Sequence, residues 1–217
     1  MHTGDRFRRR RFCKYVVRVS REDAGPAGMT FEELDDFGFY QSTAINTYAG
    51  GIRRDFAPVE PAIRRNEAVR EIVGTCLRAL MRCTEAEAED GDERGDGVAT
   101  WNVYLHQMRI DCSTSMVGQP TPEGLHRDGH DFISMHLMDR AGIEGGTSTL
   151  CDTDGRTLMT LTLRDRMDGF LLNDRALLHG VSPITPTTDA AGHRDMLIVD
   201  YNRDHRDHEN RHHRPAA

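Results

Sequence analysis

No Cys-x-x-Cys pair occurs in the 217 residues, and the five cysteines (Cys13, Cys76, Cys83, Cys112, Cys151) are odd in number and irregularly spaced. That excludes a zinc ribbon and a disulfide framework, and reads as reduced thiols in a cytoplasmic protein. No uninterrupted apolar run approaches the ~20 residues of a membrane span, and the arginine-rich start has no apolar core behind it. Neither membrane insertion nor secretion is expected. An excess of positive charge is also missing. The formal net charge of −7 argues against general nucleic-acid binding. With 37% hydrophobic and 29% charged residues the chain is polar without being of the disordered type. Its length suits a single domain that buries roughly 70% of its unfolded surface. No internal repeat is present.

What is there changes texture along the chain. The run "RFRRRRF" at 6–12 reads as a solvated arginine segment leading into the strand "FCKYVVRV". Thr30 and Glu33 of "TFEEL" have the spacing of a capping box and predict a short helix. From Pro61 a long helix is expected, with Val69, Ile72, Val73, Cys76, Leu77, Leu80 and Met81 on one apolar face. The acidic, glycine-bearing "TEAEAEDGDERGDG" after it reads as a solvated loop. From Trp101 onward come short runs such as "TWNVYLHQMRID", "DFISMHLMD", "TLMTLTL" and "DMLIVDYN", each bounded by Gly, Pro, Asp or Asn. Many short strands with no crossover helix predict a mainly β sandwich or barrel, the N-terminal helix packing outside one sheet. The expected organisation is one domain over 1–204, with a strand and helix part at 1–98 and a β core at 99–204. The histidine-rich stretch 205–217 reads as a disordered tail without regular ligand spacing.

The densest chemistry lies in "GLHRDGHDFISMH", residues 124–136. His126 and Asp128 are two apart, so on an extended segment both side chains leave one face and can reach one ion. A third ligand must come from a neighbouring strand, and His179 in "ALLHGV", 51 residues after Asp128, is the candidate. Two histidines and a carboxylate form the facial triad of non-haem ferrous oxygenases, which leaves coordination positions open where structural zinc would close them. Arg194, 15 residues past His179, heads the apolar strand "RDMLIVDY". A guanidinium facing a barrel interior is costly without an anion, and a dicarboxylate would relieve that cost by a fork-to-fork pair. Other readings are weaker. The "HRD" triplet lacks the asparagine and glycine-rich loop of a kinase. His126 and His130 lack the intervening glutamate of a zinc protease. His106, His130 and His136 read as hydrogen-bonded strand or loop histidines.

The ordered set "PEGLHRDGHDFISMH", "GGTSTL", "LLHGVSPI" and "RDMLIVDYNR" resembles the Fe(II)/2-oxoglutarate-dependent dioxygenases. More narrowly it resembles the bacterial group typified by L-isoleucine dioxygenase, which hydroxylates free amino acids. The similarity extends upstream through "LHQMRI" and, more faintly, "INTYAGGIRRDF" and "RRRRFCKYV". The resemblance implies a double-stranded β-helix, a jelly-roll or cupin-like core with flanking helices. It implies His126, Asp128 and His179 as iron ligands and Arg194 as the grip on the distal carboxylate of 2-oxoglutarate. It also implies Fe(II), 2-oxoglutarate and O2 as the reaction's requirements, with ascorbate as reductant in vitro. The activity implied is hydroxylation of a free, aliphatic L-amino acid, with 2-oxoglutarate decarboxylated to succinate and CO2. Met196 stands where many members of the superfamily have a serine that shares the cosubstrate carboxylate, so another hydroxyl is needed. Asp128 stands where halogenating relatives have Gly or Ala, which disfavours halogenation. For the substrate's ammonium and carboxylate the candidates are Glu123 and Arg109, each of which can equally be a packing or ion-pair residue. Two alternatives stay open at this stage: the same chemistry on a carrier- or peptide-bound amino acid, and a cupin-like metal-binding sensor without turnover, against which Arg194 argues. A homodimer is the default from symmetry statistics.

Overall fold

The computed structural model describes residues 6–20, 28–43, 50–87 and 97–203. In chain order the elements are β1 (Arg8–Ser20), β2 (Met29–Leu34), β3 (Gly38–Phe39), β4 (Arg54–Asp55), β5 (Ala57–Pro58), α1 (Pro61–Arg64) and α2 (Glu67–Glu87). Then follow β6 (Val98–Cys112), β7 (Phe132–Ala141), β8 (Ile143–Gly145), β9 (Thr147–Cys151), β10 (Thr157–Thr162), β11 (Gly169–Asn173), β12 (Leu178–Val181), β13 (Ile184–Pro186) and β14 (Gly192–Arg203). The main sheet runs β11-β7-β14-β6-β1-β2, with β5 alongside β1. A shorter sheet, β10-β9-β12, and the pair β13-β8 face it. Leu150, Leu161 and Leu163 from that side pack with Ile133, Met135, Leu137 and Met196 of the main sheet. Two antiparallel sheets closing on one apolar core make the expected double-stranded β-helix.

Period-two alternation gives the main sheet two different faces. On β1, β6 and β14 the residues Tyr15, Val17, Val103, Leu105, Val199 and Tyr201 all face one side and are buried with Val69, Val73, Leu77, Leu80 and Met81 of α2. The opposite side of the same strands carries Arg10, His106, Met108, Arg194, Met196 and Asp200, which line a cavity between the sheets. Strand pairing holds these positions in line: Arg194 lies opposite Ile110, and Ile110 lies opposite Arg8.

Three N-terminal expectations are corrected. "TFEEL" is strand β2, paired with β1 from Lys14↔Leu34 to Val19↔Met29. A capping box contributes only about 1 kcal/mol. The ladder along β1 outweighs it, because it also seats Phe31 edge-on against Tyr15 and gives Glu33 to Arg64 and Arg65. The helix from Pro61 is two helices. It breaks at Arg65 and restarts where the Asn66 side chain accepts the Ala68 N–H at 2.9 Å. The arginine run is not a solvated leader, since Arg8 to Arg11 belong to β1. Arg9 and Arg11 point outward to Asp111 and Glu60, while Arg8 and Arg10 point into the cavity. The acidic stretch read as a loop over 84–97 is helical at its start, since α2 continues to Glu87. Residues 88–96 and the histidine-rich stretch 205–217 lie outside the described residues.

Candidate metal centre and its cavity

His126 and His179 face each other as an isolated antiparallel bridge, each backbone N–H donating to the other's carbonyl at 2.9 Å. Directly opposed residues project to the same face, and the two ring centroids lie 4.4 Å apart. Asp128 completes the group: Oδ1 is 3.7 Å from His126 Nε2 and Oδ2 is 3.5 Å from His179 Nε2. Ligand atoms of all three lie within 4.8 Å of one another. The carbonyl of Gly124 lies 3.0 Å from His126 Nδ1 and can only accept, so the proton sits on Nδ1 and Nε2 is left to bind. Burial alone would raise the Asp128 pKa and lower that of His179. The mutual attraction of Asp128 with His179 and His126 outweighs it, holding Asp128 well below the usual carboxylate range. Asp128 and Asp174 together push His179 up to about 10. A site of this kind requires a cation among its donors. Two imidazoles and one carboxylate suit a borderline metal such as Fe(II), with room for further oxygen ligands.

Asp174 is the residue that motif reading missed. It is fully buried, and its carboxylate accepts the backbone N–H groups of Asp128 (3.2 Å), Gly129 (2.7 Å) and His130 (3.0 Å). Its Oδ1 also lies 3.4 Å from His179 Nε2. One carboxylate thus ties the His-x-Asp loop to the strand that carries the second histidine. The available signal was a lone acid in "NDRALLHG", five residues before His179 at the edge of an apolar strand. Gln41 was missed as well. Its Nε2 donates to the Asp128 carbonyl at 3.0 Å and to Oδ1 at 3.2 Å, and its Oε1 accepts from Arg54 at 2.8 Å.

Arg194 is 3% exposed, and its Nε and Nη2 have no hydrogen-bond partner among the described residues. Burial, with Arg140 as the nearest charge, lowers its pKa to about 10. Gly145 and Gly146, both at positive φ, turn the chain close by. At Gly145 (φ +79°) a Cβ would fall 2.0 Å from the Pro183 carbonyl oxygen. At Gly146 it would meet Arg140 at 3.1 Å and Arg194 at 3.5 Å. A buried guanidinium with open donors and a like-charged neighbour requires an anion. Between it and the histidines, Met108, Ile110, Met135, Met196 and Ile198 give the cleft an apolar floor.

The substrate candidates separate. Glu123 lines this cleft, with Oε1 3.7 Å from His126 Nε2 and Oε2 buried without a hydrogen-bond partner. Arg109 does not line it. Met108 and Ile110 turn inward, so the residue between them turns outward, where Arg109 Nε donates to Asp195 Oδ1 at 2.5 Å. His106 is hydrogen-bonded as expected. Arg10 donates to its Nδ1 at 3.0 Å, which places the ring proton on Nε2, 2.8 Å from Asp200. A second His–carboxylate group, Asp139, His193 and Asp195, is neutralised by Arg109 and Arg166 at the surface.

A 2OG-Fe dioxygenase family profile matches residues 1–200. The chain is similar to the 3(1)-hydroxy-L-isoleucine 4-dioxygenase of Pantoea ananatis, 22% identical over 175 residues. The match covers 80% of this chain and 66% of that one, just under two thirds. It is also similar to the L-isoleucine-4-hydroxylase of Bacillus thuringiensis, 20% identical over 195 residues, covering 89% and 74%. A bsmA homologue from Methylobium petroleophilum has the same fold, with a TM-score of 0.72 at 26% identity over 93% of this chain and 74% of that one. Among the described residues no helix is long and apolar enough to cross a membrane.

Proposed function

This chain belongs to the 2OG-Fe dioxygenase family, and from that premise we propose that it hydroxylates a free L-amino acid while converting 2-oxoglutarate to succinate and CO2. The observation that carries the reading is the pairing of two features in one cleft: a His-Asp-His group at one end and a buried, unpaired guanidinium at the other. A metal-binding sensor has no use for Arg194. The names of the curated relatives, which act on isoleucine or a hydroxylated isoleucine, support a free amino acid as the substrate.

In this reading His126, Asp128 and His179 hold ferrous iron. When bound, iron and 2-oxoglutarate together supply the activation of O2 that an unactivated C–H bond requires. The remaining work is done by the chain. Arg194 takes the far carboxylate of 2-oxoglutarate as a fork, and the methionine and isoleucine floor keeps water from its carbon chain. Ser148 is the hydroxyl we assign to the role that Met196 cannot fill. It lies opposite Val181 in the β9–β12 ladder, hence on the cavity side, and its Oγ is buried without a hydrogen-bond partner. Glu123 accepts the substrate ammonium, and Asp174 with Gln41 keeps Asp128 aimed.

The test is to incubate the protein with Fe(II), ascorbate, 2-oxoglutarate and a panel of free L-amino acids. Succinate and product mass are then followed. Succinate formation coupled to the gain of one oxygen atom by one of the amino acids is expected. Succinate at the level of the amino-acid-free control across the whole panel sinks the proposal.

A further inference from the structure

We propose that the amino acid taken by this cleft has an acidic side chain, so that its two carboxylates meet Arg8 and Arg54 while its ammonium meets Glu123. This rests on the hydroxylase reading above and narrows its substrate, against the aliphatic side chain that the resemblance implied.

On the outer surface Arg9 is paired with Asp111, Arg11 with Glu60, Arg53 with Asp36 and Arg65 with Glu33. Arg8 and Arg54, both partly buried and both lining the cleft, have no carboxylate within 4 Å among the described residues. Arg8 Nη2 donates only to the carbonyls of Gln119 (3.2 Å) and Pro120 (3.1 Å), and Arg54 Nη2 to the amide oxygen of Gln41 (2.8 Å). The Nε of each is buried with no acceptor. The Arg54 guanidinium lies over the rings of Phe39 and Phe56, 5.3 and 5.9 Å from their centroids, which fixes its plane without neutralising it. These outward arginines thus each have an acid, while the two that reach into the cleft, where an unpaired charge costs more, have none.

The charges of the cleft can then be paired off. Asp128 belongs to the metal and Arg194 to the cosubstrate. Arg10 is offset by Asp200 through His106. Arg8 and Arg54 against Glu123 leave one positive charge over. A zwitterionic aliphatic amino acid would satisfy Glu123 and one guanidinium and leave the other bare. An amino acid of net charge −1 satisfies all three. Register supplies the spacing: Arg8 and Arg194 flank Ile110 from β1 and β14, so the two anion sites lie about 10 Å apart, two strand spacings. One 2-oxoglutarate molecule does not need both.

The experiment is anaerobic isothermal titration calorimetry on the protein loaded with Fe(II) and 2-oxoglutarate. The probes are L-aspartate, L-glutamate and L-2-aminoadipate, set against the neutral isosteres L-asparagine and L-glutamine and against L-isoleucine and L-leucine. At least one acid is expected to bind tighter than its amide by at least about tenfold. Arg8→Met and Arg54→Met are each expected to remove most of that preference, while Arg54→Lys restores part of it. Equal or tighter binding of isoleucine or leucine, or no binding by any acid, overturns the proposal. Because the acid-to-amide ratio is read on the wild type, it stands even where a variant folds poorly. Oxygenation of isoleucine would refute the acidic substrate and leave the hydroxylase reading intact. Tight binding of an acid without any oxygenated product would do the opposite.

Discussion

Strands β1, β6 and β14 present two faces that obey opposite rules. The face under helix α2 is dry and apolar, and residues such as Val17, Val103, Leu105, Leu77 and Val199 are fully buried there with no polar demand left open. The cavity face of the same strands holds Arg10, His106, Arg194 and Asp200, with polar atoms of Arg8, Arg54, Glu123 and Arg194 left unsatisfied. Burying such groups costs stability that the helix-covered face must supply. Function and stability are therefore divided across one sheet, a side-chain length apart.

The division is broken most severely at the metal. Asp128→Ala or His126→Ala should reduce succinate formation to background and leave the melting temperature within a few degrees of wild type. Undiminished turnover in either variant would contradict the assigned ligands. On the other face, Leu77→Ala should lower unfolding free energy by about 2–5 kcal/mol, the usual cost of a leucine-sized cavity, while KM values below the melting transition stay as in wild type. A changed KM there would show that the faces are coupled. Arg194→Met sharpens the contrast. The KM for 2-oxoglutarate should rise on the order of 100-fold, in line with losing one partner of a buried charge pair. The protein without cosubstrate should melt no lower than wild type, because an unpaired charge has been removed. A clear loss of stability in its absence would make Arg194 structural. Asp174→Asn should act more gently, weakening iron affinity by roughly 10- to 100-fold, as for residues that orient metal ligands. Unaltered iron affinity, measured by chelator competition, would reduce Asp174 to a loop tie.

Much of the cavity face was legible because its chemistry is written in residue type and order. His126, Asp128, His179 and Arg194 are unusual in such company, and the apolar runs around them read as strands. The misreadings share a cause. The arginine run reads as solvated from its charge alone, but whether an arginine enters the cleft depends on odd or even position within a strand whose first residue is not marked. For Arg109 the ion-pair alternative is the one that agrees with its contact to Asp195. The capping pattern of "TFEEL" is local, and pairing with β1 overrides it. Asp174 left no motif, because the donors to its carboxylate are backbone N–H groups brought to it from 44 to 46 residues away.

By itself the sequence determined the donor chemistry, the β-rich class and the apolar stripe of α2, because residue type, spacing and periodicity are local properties. Only the tertiary structure decided which arginines lose their water, which find an acid, and which are left bare beside the metal group. Those outcomes depend on strand register and on the approach of distant segments. A charge's energy is set by its surroundings far more than by its identity.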